Sequence, residues 1–416
     1  MKDVGVQASL LESPSPQVLG NLPNPETEFP QILYQRHTIF WGTLACAVLY
    51  YFILNQADLP TLVNARTGVL GAVAVLVFCG GVLLPDSHFM SRPHPAMWRM
   101  LMGATFCYIT FLAFVVFQPV DRARQILAWL DPKLGVPLPE RTYAADCRVF
   151  TPENPNSSFA NVRDCVFDMY MAAHLIGWWI KMMIVRDVKL CWFLSLVFEF
   201  LEVSLRHQLP NFYECWWDHV ILDILVCNGG GIYLGYLTCR FFEMRQYHWG
   251  VGKDIRANSG RFNTLTRSAV QLTPFSWQEY KWDLFSSPRN FIAFLHFVLI
   301  FNLVDLGNFY LKYVLWMPSS HWILLTRALY WACMSVIVTR EYYEFVYSGF
   351  REKLGTFCWL GHFALAMEWL IVVKDSAGMF TEEMPVWLRW VWSLIGLAIG
   401  VEISYLVYRQ KLKGSS

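Results

Sequence analysis

Ten runs of mostly apolar residues, each near the length that crosses a bilayer, dominate this sequence. They lie near 38–54, 67–85, 97–118, 168–185, 188–205, 219–240, 290–313, 321–339, 355–374 and 386–408. A hydrocarbon core of about 30 Å needs roughly 20 such residues per helix. Inside it the backbone must satisfy its own N–H and C=O groups, which favours helices. The expected fold is therefore all-α, a polytopic membrane protein of about ten transmembrane helices. Only 16% of residues are charged, against about 25% in an ordinary soluble domain. The formal net charge of +1 gives no reason to expect a nucleic-acid partner.

An even number of spans puts both termini on one side, and the positive-inside rule selects that side. The connection at 186–189, the stretch 240–289, the stretch 340–353 and the tail RQKLK are rich in Arg and Lys, whereas KDSAGMFTEEMP is acidic. The expected domains are a disordered cytosolic tail (1–36), a transmembrane domain (37–408) and a cytosolic tail (409–416). A loop facing the lumen or outside (119–167), a second at 206–218 and a cytosolic loop (241–288) follow from the same assignment. The sequon Asn156-Ser157-Ser158 falls in the first of these loops, as glycosylation at Asn156 requires. The eleven cysteines form no CxxC pair. Cys147, Cys165 and Cys215 share the oxidising side, so one disulfide is expected there. Spacing does not choose the pair; Cys147 with Cys215 is the first candidate. RARQILAWLD, 122–131, reads equally as a helix lying on the membrane surface and as an ordinary surface helix.

The fourth to sixth apolar runs are broken by charge. Glu199 and Glu202, three apart, share a helix face, and Glu214 and Asp218, four apart, share one if the helix already starts in the loop. Asp223, five further on, is expected to point elsewhere. Asn228 adds a neutral oxygen. Like-charged carboxylates at the edge of a membrane repel unless a cation or proton neutralises them. Five hard-oxygen ligands suit Ca²⁺ or Mg²⁺ rather than a soft metal. Each acid alone reads as a salt-bridged or snorkelling residue; the set reads as a cation site. His174, inside MYMAAHLIGWW, is a packing histidine in isolation and a general base or nucleophile beside such a cluster. Trp216 and Trp217 suit an aromatic belt, and also suit stacking on an ammonium group.

A second polar set, Arg92, His94, Arg267, Gln271 and Arg340, falls on the cytosolic side. Arginines there bind lipid phosphates or simply anchor topology. Gly229-Gly230-Gly231 suits close helix packing. The D-x2-D-G-x2-A-R signature of CDP-alcohol phosphotransferases is absent.

The stretches SRPHPAMWRM, AAHLIGWWIKMMIVRD, FEFLEVSLRHQLPNFYECWWDHVILDILVCNGGGIYLG, EMRQYHW, QLTPFSWQEYKW and LKYVLWMP resemble the base-exchange phosphatidylserine synthases of animal endoplasmic reticulum. The likeness runs from about residue 30 to 410. DPKLGVPLPER and HQLPNF look more like the second branch, which draws on phosphatidylethanolamine, than the phosphatidylcholine-using first. The resemblance implies a multi-pass endoplasmic reticulum membrane enzyme with a lumen-facing active site. It also implies Ca²⁺-dependent exchange of ethanolamine for L-serine without a nucleotide. Its activity-critical residues would be His174, Glu199, Glu202, Asn211, Glu214, Asp218, Asp223 and Asn228. Arg92, His94, Arg267, Gln271 and Arg340 would mediate inhibition by the product phosphatidylserine. A homodimer is the expected assembly. From the residues alone, a cation or proton-coupled transporter remains the competing expectation, and a non-catalytic lipid-binding protein a third. A transporter site belongs at the bilayer midplane, whereas these acids gather towards one leaflet.

Overall fold

In the computed structural model, the described residues are 64, 67–68, 95–138, 144, 146–155, 157–166, 169–243, 282, 284–351 and 353–414. Among them the regular structure is helical, with no strand. The order is α1 (Pro95–Val116), α2 (Val120–Leu130), α3 (Ala160–Val166), α4 (Met169–Val185) and α5 (Val188–Leu205). A short 3₁₀ turn (Pro210–Phe212) and a π-helix (Asp218–Asn228) follow. The π-helix runs directly into α6 (Gly229–Glu243), then α7 (Pro288–Leu315), α8 (Trp322–Tyr347), α9 (Thr356–Asp375) and α10 (Val386–Gly414). Among the described residues, five helices are long and apolar enough to cross a membrane: the π-helix with α6, and α7 to α10. The apolar runs expected at 38–54 and 67–85 lie almost wholly outside the described residues. The other eight coincide with α1, α4, α5, the π/α6 pair and α7 to α10.

The helix ends follow local chemistry. Asp187 accepts the Leu190 N–H at 3.0 Å and starts α5. Ser287 caps α7 by accepting from the Asn290 N–H, with Pro288 in the first helical position, where its missing N–H costs nothing. Trp316, at φ 55°, turns the chain out of α7 in the left-handed region. The Glu341 carboxylate reaches the first turn of α9 and accepts the Cys358 N–H at 2.8 Å, an acid at the positive end of a helix. Helix α10 runs through the expected boundary at 408 to Gly414.

Close packing joins the π/α6 unit to α4. A Cβ on Gly231 would meet Leu175 O and Trp178 Cβ, and one on Gly235 would meet Met182 Cβ, both inside contact distance. Small residues one turn apart thus let two helix backbones approach. A second group packs α1, α8 and α9 around Ile109, Met334, Ile337 and Phe357. A third packs α1, α2, α5, α7 and α9 around Val116, Phe198 and Val314. The 122–131 segment is helical as expected. Arg124 is buried and donates from Nε and Nη2 to Val314 O at 3.0 and 2.8 Å, closing the C-terminus of α7. Trp129 and Leu130 face outward. By contrast α10 stays exposed along Leu394, Leu397, Val401 and Tyr405, an apolar surface suited to lipid.

Cys147 and Cys215 are disulfide-bonded, tying together the two loops that charge had assigned to one side. Trp217 is buried and donates its indole N–H to Cys147 O at 3.0 Å. It therefore serves the loop junction, and Trp216 alone is exposed as a belt residue would be. In the same loop, hydrogen bonds from Arg148 hold the Asp146 carboxyl down at about 2.

Candidate active site

The π-helix sets the geometry. Long π segments are rare, and single π turns are frequent at functional sites. Bonding from i to i+5 turns the chain less per residue than an α-helix does, so residues five apart come much nearer to one face. Asp218, Asp223 and Asn228 are spaced by five. Asp223, expected to point elsewhere, is therefore brought in with Asp218, because the expectation assumed α-helical spacing. The expected helical face shared by Glu214 and Asp218 does not form: helix begins at Trp216, and Glu214 stands in the loop beside the disulfide.

The acids meet around His219. Its Nδ1 lies 3.1 Å from Glu199 Oε2, 3.9 Å from Glu214 Oε2 and 4.0 Å from Glu202 Oε2. Two groups of metal-binding geometry result, Glu199–Glu202–His219 and Glu214–His219–Asp223, whose ligand atoms lie within 4.8 Å of one another. His174 Nδ1 lies 3.3 Å from Asp223 Oδ1. Deeper, Asn228 donates to Glu199 Oε1 at 2.7 Å and to Ser195 Oγ at 3.0 Å, so it orients that glutamate. Glu199, Glu202, Asp223 and Asn228 are all buried. Yet Asn228 Oδ1 is buried without a hydrogen bond, and Glu199 Oε2 and His174 Nδ1 are buried with only their ion-pair contacts to His219 and Asp223. Buried polar atoms are normally satisfied. Orphaned carboxylate and amide oxygens beside crowded acids fit a hard cation.

The cluster opens into a cavity of about 900 Å³, walled by α4, α7 and α8 and lined by His174, Glu202, Asn211, Glu214, Asp218 and Asp223. Thus His174, Glu199, Glu202, Asn211, Glu214, Asp218, Asp223 and Asn228 all gather at one end of the bundle. Arg340 does not join them: it lies towards the far end of α8, paired with Glu344 at 2.9 Å. Arg92, His94, Arg267, Gln271 and Asn156 lie outside the described residues. Arg206, four residues after Glu202, turns away from the acids and stacks over the Tyr213 ring.

Several polar residues were missed in the sequence. His219 carries no signal of its own in the sequence, because its central place depends on the fold. Lys181 pairs with Asp305 at 2.8 Å on the cavity wall. Arg327 pairs with the fully buried Glu368 between α8 and α9. Trp331 Nε1 (2.9 Å) and the Tyr108 hydroxyl also donate to Glu368. Each is an isolated charge in an apolar run, the sequence signal that could have drawn attention to it.

The family model described as phosphatidyl serine synthase matches residues 93–376. The chain is 39% identical over 367 residues to human phosphatidylserine synthase 2, covering 86% of this chain and 74% of that protein. It is 40% identical over 352 residues to CDP-diacylglycerol–serine O-phosphatidyltransferase 2 of Oryza sativa subsp. japonica, covering 84% and 82%. It is 35% identical over 362 residues to zebrafish (Danio rerio) phosphatidylserine synthase 1, covering 86% and 75%. The match takes in every residue of the acidic cluster and the cavity beside it, and the chain belongs to the phosphatidyl serine synthase family.

Proposed function

We propose that this membrane protein, a serine phosphatidyltransferase by family, is a calcium-dependent base-exchange enzyme. It converts phosphatidylethanolamine and L-serine into phosphatidylserine and ethanolamine. The observation that carries the reading is the set of orphaned, buried oxygens beside His174 on the wall of a lipid-sized cavity. Glu199, Glu202, Glu214, Asp218 and Asp223 would hold Ca²⁺. When bound, the ion would neutralise charge on the phosphoryl oxygens.

The chain's own groups account for the proton chemistry. The serine hydroxyl attacks phosphorus, the phosphorus–oxygen bond to ethanolamine breaks, and the phosphodiester count is unchanged. His174 takes the hydroxyl proton and returns it to the departing ethanolamine oxygen. Asp223, 3.3 Å from Nδ1, stabilises the imidazolium formed between those events. In the covalent version His174 attacks phosphorus first, the bond to ethanolamine breaks and the ring proton ends on its oxygen; serine then breaks the phosphorus–nitrogen bond and returns its hydroxyl proton to the ring. Labelled lipid that stays on the protein through an alkaline quench would select that route, because the phosphorus–nitrogen bond hydrolyses in acid. One phosphodiester replaces another, so no nucleotide is needed.

The reading includes a lumenal site, about ten spans, cytosolic termini and residence in the endoplasmic reticulum. Product inhibition through Arg92, His94, Arg267, Gln271 and Arg340 belongs to it too. A second donor is suggested by the plant relatives, whose name specifies CDP-diacylglycerol. Against it, the sequence lacks the CDP-alcohol phosphotransferase signature. The test gives purified protein labelled serine with phosphatidylethanolamine, phosphatidylcholine or CDP-diacylglycerol in parallel. Phosphatidylserine from phosphatidylethanolamine without nucleotide is the expected result; product from CDP-diacylglycerol alone would overturn the exchange reaction.

A further inference from the structure

Lys181 and Asp305 form an ion pair at 2.8 Å between α4 and α7, and both line the cavity that His174 lines. Their side chains remain 18% and 27% exposed, so the pair is open to the cavity rather than sealed in the protein. Lys181 stands one turn before the end of α4, and Asp305 ten residues before the end of α7. A half-buried ion pair between two helices is a poor way to gain stability, because desolvation offsets most of the attraction. Lys181 is held in place by the Trp178 ring at 4.1 Å and the Phe198 ring at 5.4 Å. Seven residues, two helical turns, separate His174 from Lys181 on one face of α4. Their Cα atoms are about 10 Å apart along the axis, and the lysine side chain leans back towards His174.

We infer that Lys181 and Asp305 are the recognition site for the incoming amino acid. The inference rests on the exchange reading above and names its acceptor pocket. L-serine is a zwitterion, and a preformed lysine–aspartate pair is its charge complement. Lys181 Nζ takes the α-carboxylate and Asp305 takes the α-ammonium, which leaves the hydroxyl directed along α4 towards His174. Ethanolamine shares the ammonium and the hydroxyl but has no carboxylate. Lys181 is therefore the group that separates serine from the alcohol it replaces, while Asp305 serves both.

The experiment uses the full chain in phosphatidylethanolamine vesicles, with labelled L-serine or labelled ethanolamine as the attacking alcohol. Lys181→Met should raise the serine KM by about tenfold or more, since a site built for a polar group discriminates strongly when that pairing is lost. The ethanolamine KM should move by less than about twofold, because that alcohol never engages the lysine. Lys181→Arg should recover most of the serine affinity, and Asp305→Asn should raise both KM values. Lys181→Gln is carried alongside so that a folding failure of Lys181→Met leaves a second neutral variant to read. Equal loss with both alcohols would place Lys181 on the phosphate or in the scaffold and overturn the inference. An unchanged serine KM would overturn it as well. Incorporation of neither alcohol by the unaltered protein would instead remove the exchange reading itself.

Discussion

Glu368 and Glu199 are both buried carboxylates in one helical bundle, but only one has its hydrogen bonds completed. Glu368 receives Arg327 on both oxygens, with Trp331 and Tyr108 added. Glu199 receives Asn228 on one oxygen, while the other is buried without a hydrogen bond near His219. Around Glu368 the charges balance, whereas around Glu199 further carboxylates crowd in. A satisfied buried network specifies packing, and an unsatisfied one stores a cost that a ligand relieves. The first region therefore reads as architecture between α7, α8 and α9, and the second as a site.

The largest expected effect breaks that comparison on the active side. Asp223→Asn or Glu202→Gln should lower serine incorporation by roughly 10³-fold, the scale of losing a group that acts on the reacting centre. Thermal stability without metal should hold or rise, because a like charge is removed from a crowded set. Unfolding at lower temperature would return those acids to the scaffold.

Next comes the structural side. Glu368→Ala leaves Arg327 uncompensated and should cost about 3–5 kcal/mol in thermal unfolding. The double variant Arg327→Met/Glu368→Leu should recover most of it. Activity per folded molecule should survive in the double variant, and its loss would make the second cluster functional too.

Cys147→Ser should have a smaller effect, about 2–4 kcal/mol of stability. It should also lower activity several-fold, since the disulfide anchors the loop that carries Glu214. Full activity would show that Glu214 is positioned by the π-helix alone.

The smallest effect lies in the other loop, beside Cys147. Asp146 is held near 2 by Arg148, below the ordinary carboxylate range. A depressed value contributes stability above the unfolded pKa that is lost as pH falls through the folded one. The loop should therefore show no pH-dependent change between about pH 5 and 8. Asp146→Asn should leave unfolding unchanged within error at neutral pH, as expected of an exposed pair. A clear shift would assign the loop a larger part than the comparison gives it.

Much of this was legible in residue order. Apolar runs located α1, α4, α5 and α7 to α10, because hydrocarbon imposes both length and polarity on a spanning helix. The acids stood out because charge in such a run needs a reason. Helical phase was not legible: Asp223 was placed on the wrong face because nothing local announces a π-helix. The partners of Lys181 and Arg327 were also hidden, since Asp305 and Glu368 lie far away in the chain and only packing joins them.

The most direct test is thermal unfolding of the purified chain in micelles, metal-free and across a Ca²⁺ titration. If the orphaned oxygens hold the ion, unfolding temperature should rise saturably, by the equivalent of about 2.7 kcal/mol at a hundred times the dissociation constant. The rise should vanish in Glu199→Gln/Glu202→Gln and persist in Arg327→Met/Glu368→Leu. No shift in the unaltered protein, or an equal shift in both double variants, would contradict the assignment of the acidic cluster as the cation site.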